Sequence, residues 1–355
     1  MKKIGKQEMD DILVGSAILG TGGGGSLKRS RKMAKEDFEQ GKEYQLITLD
    51  ELNDEDLIGS PYFCGSLAPE GEERDTGVEC TGNAVKVLEE YFDKKFAGLV
   101  ATEIGAGNLG IAFSTAAQYG VPLIDADPAG RSVPELSHTT FYVYGRPIDP
   151  LGVSDGSNNI LVKEVEDDFI AEKIVRSIAV SVGGTVGVCD HPGKVKDMKG
   201  TLIEGTVSKS LTVGKNRREA IENGEDPVES IIKDEGYKVF EGRVTGYNWE
   251  VKEGFTVGDI LVENEEGDEF KIWFKNEHMM SWLNDDPYIS APDLITLVTK
   301  EKAEPLLNPN IEEGQEVAVL AFKADEKWRT DKGLDVIGPR YFGFDVDYRP
   351  LEKII

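Results

Sequence analysis

The chain has 355 residues, with 66 Asp and Glu against 40 Lys and Arg, a formal charge of −26. That charge excludes a nucleic-acid backbone as natural partner, which needs a concentrated basic surface, and it disfavours an anionic membrane surface. No apolar run reaches the ~18–20 residues of a membrane helix, and Glu8, Asp10 and Asp11 ahead of the apolar residues 12–20 read against a secretory signal. Three cysteines, Cys64, Cys80 and Cys189, contain no CxxC pair and so form neither a disulfide framework nor a zinc knuckle. The expectation is a cytoplasmic protein of two domains acting on a small molecule.

The first half alternates helix and strand. Apolar side chains at helical spacing predict a helix over Lys6–Leu19, ending in Gly20-Thr21-Gly22-Gly23-Gly24-Gly25-Ser26. Residues 27–40 predict a second, basic helix, and residues 44–49 a short strand followed by an acidic turn at 50–56. Beyond a Gly- and Glu-rich loop at 69–77, residues 83–92 predict a helix. The continuous apolar run 96–101 is a strand buried on both faces, 109–119 a helix, and 121–124 the next buried strand. Strand, helix and strand within about thirty residues make a βαβ unit, hence a partly parallel sheet. The expected first domain, 1–166, is therefore α/β.

The texture then changes. Residues 169–182 and 202–221 predict two long helices, and from residue 237 onward the pattern alternates at period two. Strands are expected at 238–247, 256–263, 270–275, 294–299 and 316–322, with turn chemistry at Gly254, Glu266-Gly267 and Asn308-Pro309. Residues 167–355 should form a β-rich α+β domain.

Two glycine clusters stand out. Gly105-Ala106-Gly107-Asn108-Leu109-Gly110 is a formal GxGxxG between a strand and a helix, with Asp125 twenty residues on, the pattern of a dinucleotide site. Glu103 just before it would repel an incoming phosphate. The plainer reading is a tight turn, and an NAD(P)-dependent oxidoreductase is the third-ranked function. Gly22, Gly23, Gly24 and Gly25 precede a helix carrying Lys28, Arg29, Arg31 and Lys32. Bare amides at a helix start cradle anions, so this loop is read as substrate-binding rather than as a hinge.

The densest chemistry lies at Glu103, Asn108, Asp125, Asp127, Arg131, Glu135 and His138. Glu103 ends one parallel strand and Asp125 and Asp127 the next, where open sheets put their ligand crevices. Two acids two residues apart couple, raise one pKa, and serve as base and acid or hold a divalent metal. Arg131 offers a planar fork for a carbonyl or carboxylate. A locally capped acidic loop is the structural alternative. Cys189-Asp190-His191 could form a thiolate–imidazole pair or two zinc ligands, against a buried inert thiol, the more usual case. In the second domain Asn276, Glu277 and Arg340 are polar groups at strand ends that could reach a shared cleft.

In their order along the chain, GTGGGG at 20–25, EIGAGN at 103–108, DADPAGR at 125–131, PEL at 134–136, WFKNE at 273–277, PDLI at 292–295 and GPRYFG at 338–343 resemble the DUF917 family, described as S-methyl thiohydantoin desulfurase-like. The resemblance implies an α/β domain followed by a β-rich one and no nucleotide cofactor. It implies hydrolysis at the ring carbon that bears sulfur, releasing a thiol and leaving a hydantoin, in company with hydantoinase- and oxoprolinase-type enzymes. The loop Cys64-Gly65-Ser66-Leu67-Ala68-Pro69-Glu70 is read as setting the substrate. The expected catalytic set is Glu103, Asp125, Asp127 and His138, with His191 a second candidate proton donor. Gly22–Gly25, Asn108, Arg131, Glu135, Asn276, Glu277 and Arg340 are expected to bind the substrate. No cofactor is required, and a divalent metal, self-association and a hydantoinase-type protein partner are all compatible with this. The alternative function is a non-catalytic accessory subunit of such an enzyme.

Overall fold

Two sheets organise the chain in a computed structural model that describes residues 1–65 and 77–355. Ser66–Glu70 of the expected substrate loop lie outside the described residues. The chain opens with β1 (Lys2–Ile4), α1 (Lys6–Leu19), α2 (Leu27–Glu39), β2 (Tyr44–Ile47), β3 (Leu57–Gly65), α3 (Glu79–Phe92), β4 (Phe96–Leu99), α4 (Ala106–Tyr119) and β5 (Leu123–Ile124). The first sheet runs β1-β2-β5-β4-β3 and continues through strands Thr185–Lys194, Leu151–Ser154 and Asn159–Val162. The centre, β2-β5-β4-β3, is parallel, and the flanking pairs are antiparallel. The α/β character with a partly parallel sheet is thus as expected. One strand of this sheet, Thr185–Lys194, comes from beyond residue 167.

The second sheet has seven antiparallel strands in the order Asp286–Ser290, Glu277–Leu283, Glu269–Lys275, Phe255–Glu263, Gly236–Lys252, Glu316–Phe322 and Leu294–Thr299. It is the β-rich half that the period-two pattern foretold. Its inner face buries Phe240, Ile260, Phe270, Phe274 and Val319 in a core of its own.

Element ends differ from the sequence reading for local reasons. β4 stops at Leu99, because Val100 and Ala101 already lead into the turn before α4. The helix expected from 202 begins at Thr206, since Ile203 and Glu204 pair instead with Asp127 and Ala126 in a two-stranded ladder. α1 is buried along most of its length because it lies beneath the Thr206–Asn223 helix. The two cross at Gly15 and Gly214, where a Cβ would strike the backbone of Ser210 and of Asp11 respectively. Arg218 then clamps the buried Asp11 at 2.9 Å. No helix among the described residues is long and apolar enough to cross a membrane.

The α1 crossing generates a measurable expectation. Gly214→Ala should lower stability by about 1–3 kcal/mol by overpacking, read as a fall in the denaturant midpoint; an unchanged midpoint would show that the crossing yields freely.

Candidate functional site

The two glycine loops meet. Gly24 and Gly25 lie directly on Gly105 and Gly107, and a Cβ on Gly24 would stand 2.5 Å from the Gly105 Cα. The Gly107 N–H donates to the Gly24 carbonyl at 2.7 Å, so one loop closes the start of α4 for the other. Positive φ values of 79° at Gly24 and 83° at Gly25 turn the chain into α2, a conformation that favours glycine. This arrangement corrects the dinucleotide reading. Gly105 and Gly107 serve backbone-to-backbone contact, Gly110 packs against Ser30, and Asp125 is occupied elsewhere, which leaves no phosphate cradle.

Two acids line this junction. Glu103 is 8 % exposed, and its carboxyl accepts from the Val133 N–H at 2.6 Å and the Asn108 amide at 2.5 Å. Glu277, 3 % exposed, starts a strand of the second sheet, and its carboxyl fills the niche over Gly23 that any side chain there would occupy. Burial first, and then the Glu277 carboxyl, holds the Glu103 pKa well above the usual carboxylate range. Burial also pushes Glu277 up to about 8, against the pull of Arg131. Two buried carboxyls that feel each other cannot both ionise readily. One oxygen of Glu277, Oε2, has no partner within the protein.

Arg131 holds the junction together rather than facing a ligand. It is fully buried, and all five of its N–H donors meet protein acceptors: Ser132 O at 3.1 Å, Pro292 O at 3.2 Å, Asp293 O at 3.1 Å, the Thr21 hydroxyl at 3.0 Å and His278 O at 2.8 Å. It therefore ties the first glycine loop to the second sheet. Burial lowers its pKa to about 10, which leaves it charged at neutral pH.

The other expected residues are scattered. Asp125 and Asp127 do not form the anticipated coupled pair. Asp125 caps the Thr206–Asn223 helix through the Ser208 N–H at 2.9 Å, and Asp127 turns inward to the N–H groups of Ala129 and Gly130. Burial raises Asp127 to about 7. His138 is fully buried with its ring against Tyr341 and Phe342, and burial lowers its pKa to about 4. Glu135 accepts from Lys275 and from the Tyr341 hydroxyl. Asn276 holds a turn to Thr256, and Arg340 lies on the surface with Asp345 and Asp347. Cys189 sits in the core with a raised pKa, apart from any imidazole pairing, while His191 lies between Asp190 and Asp168 and is pushed up to about 9 despite burial.

Three residues at the junction escaped the sequence reading: Thr21, Ser132 and His278. Ser132 Oγ donates to Ile104 O at 2.6 Å and packs on Gly24. His278 Nδ1 meets the Ile295 carbonyl at 3.0 Å, and its ring fills the space over Gly22. Only the proximity of His278 to Glu277 in sequence could have signalled it. A cavity of about 780 Å³ opens elsewhere, beside the start of the Thr206–Asn223 helix, with Gly130, Thr206, Phe322 and Leu351 on its walls. It touches neither glycine loop. Among the described residues no three His, Cys, Asp or Glu side chains group to hold a metal ion.

Fold and site together define an α+β protein whose two glycine loops enclose a buried carboxyl pair. Family models described as the S-Me-THD-like N-terminal and C-terminal domains match residues 7–164 and 166–351. The chain belongs to the S-Me-THD-like family. It is similar to the crystal structure of a protein from Chromobacterium violaceum at 22 % identity and a TM-score of 0.80, covering 99 % of this chain and 100 % of that one, a likeness of fold. Comparison with curated proteins finds no match.

The buried acids carry a stability signature. A carboxyl whose folded pKa lies above its unfolded value favours the folded state when protonated, so the advantage is lost as pH rises from about 4.5 towards about 8. Glu277→Gln removes that penalty. The unfolding free energy of the variant, from denaturant titration, should exceed that of the parent by a margin that widens from pH 5 to pH 8, reaching roughly 2–4 kcal/mol. A margin independent of pH would place Glu277 in a solvated setting.

Proposed function

We propose that the protein is a hydrolase of thiohydantoin-type rings, in which water displaces a thiol. Membership of the S-Me-THD-like family supplies the ring chemistry. The observation that carries the reading is the Glu103–Glu277 pair, two buried acids with raised pKa values beside bare glycine backbone, opening towards solvent at Gly23, Gly25 and Asn108. Displacement at a C–S carbon asks for one group that takes a proton from water and one that gives a proton to sulfur. Two acids whose pKa values are both raised by burial suit those two roles.

Glu277, whose Oε2 has no partner within the protein, acts as base. The water oxygen forms the new bond to the ring carbon as its proton passes to Glu277. The C–S bond then breaks, and the Glu103 proton leaves with sulfur as the free thiol. The ring keeps the oxygen as a carbonyl once its remaining proton settles on the ring nitrogen. Val133 N–H and the Asn108 amide hold the Glu103 carboxyl in place. Arg131 positions the Glu277 strand against the loop without touching the ring.

Thiol release from an S-methyl thiohydantoin tests this. Glu103→Gln and Glu277→Gln should each lower kcat/KM by ~10²-fold or more. In the parent, kcat/KM should rise with pH through about 8 as Glu277 ionises, and Glu277→Gln should flatten that limb. Full activity in both variants would remove the pair from the chemistry, and no thiol release by the parent would favour the accessory-subunit role.

A further inference from the structure

We propose that the large cavity beside the start of the Thr206–Asn223 helix is a second binding site, one that takes an organic cation: an ammonium group on an apolar body. The cavity touches neither glycine loop, so the inference stands apart from the ring-hydrolysis reading.

A volume of about 780 Å³ falls within the roughly 300–1,000 Å³ of pockets that enclose small molecules. Several segments of the chain supply its walls. Ile203 and Val213 border it on one side, Leu294 and Phe322 of the second sheet on another, and Leu351 closes it from near the chain end. All five are buried. Walls of this kind accept an apolar ligand body.

The charged groups around these walls are mostly of one sign. Six carboxylates border the cavity against two lysines. Both lysines are already held by acids of the same border, Lys209 by Glu235 at 2.6 Å and Lys323 by Glu326 at 2.7 Å. Among the described residues no cation pairs with Glu204 or Asp234. The helix start adds no call for an anion, because the Asp125 carboxyl already takes the Ser208 N–H at 2.9 Å. A hollow with low-dielectric walls and this border draws positive charge.

A separate, buried feature asks for a donor. Thr206 is 6 % exposed and borders the cavity, and its Oγ1 has no hydrogen-bond partner. The hydroxyl stands beside the Asp127 carboxyl. One oxygen of that fully buried carboxyl, Oδ2, takes the Ala129 and Gly130 N–H groups, and the other, Oδ1, is without a partner as well. Two orphaned oxygens at one place are costly. A carboxylate oxygen only accepts and a hydroxyl oxygen can accept, so a ligand that completes them donates. An ammonium group donates and also answers the charge of the border.

Calorimetric titration of the parent protein with phenethylammonium, 2-phenylethanol and phenylacetate compares one apolar body under three charges. The ammonium should bind about ten-fold or more tightly than the alcohol, as charge-assisted hydrogen bonds do, and added salt should narrow that ratio. Phenylacetate should bind more weakly than either. The double substitution Glu204→Gln with Asp234→Asn, at exposed positions, should lower the ammonium affinity roughly three-fold or more and leave that of the alcohol unchanged. Thr206→Val, which keeps the volume and removes the hydroxyl, should lower it about five-fold, and Thr206→Ser should retain it. Glu250→Gln with Glu266→Gln, an equal change of charge at exposed sites outside the cavity border, should also retain it. No heat from any probe at millimolar concentration, equal affinities for ammonium and alcohol, or an ammonium affinity indifferent to either the Glu204 and Asp234 pair or Thr206→Val overturns the inference. So does an equal loss in the Glu250 and Glu266 variant, which would assign the preference to the charge of the whole chain.

Discussion

Gly24 rests on Gly105 and Gly25 on Gly107 with no side chain between them, and the rest of the site depends on that contact. Because the two loops touch through backbone, the space above them is left to groups from elsewhere: Glu277 over Gly23, His278 over Gly22 and Ser132 over Gly24. A side chain at any of these glycines would displace one of those groups. The same closeness denies water to Glu103 and Glu277, and lost hydration is the first cause of both raised pKa values. Glycine is thus used for its absence of volume, and the consequence is electrostatic.

Arg131 is the counterpart of that contact. A fully buried guanidinium is tolerable only when every donor is met, and its partners come from the Gly20–Gly25 loop, from Ser132 and from two segments of the second sheet. One side chain therefore fixes how the first glycine loop meets the second sheet, and so how Glu277 approaches Glu103. The sequence motif DADPAGR suggested an arginine awaiting a ligand. The structure makes it a strut whose charge lies near both acids without neutralising either. A similar exchange of roles applies to Asp125, a half-buried helix cap, and to Asn276, a turn residue.

Much of the fold was legible because it is written in local periodicity. The helices Lys6–Leu19 and Ala106–Tyr119, the buried parallel strands and the antiparallel second half all follow from hydrophobic spacing and turn residues. What local pattern could not convey was partnership across the chain. Nothing around Thr185–Lys194 announces that it joins β3 in the first sheet, and nothing around Ile203-Glu204 announces a ladder with Asp127. Strand registry between distant segments is decided by which faces the other elements leave uncovered.

The sequence by itself determined the acidic, two-part α/β and β-rich character, the positions of both glycine loops and the family, since each resides in composition, spacing or a short contiguous motif. Only the tertiary structure decided which acids meet. Glu103 and Glu277 lie far apart in the chain and become a pair because a strand of the second sheet lays Glu277 into the gap that glycine leaves. Burial, which raises both pKa values, and the Glu277 charge, which raises that of Glu103 further, belong to that enclosed space and to neither residue alone.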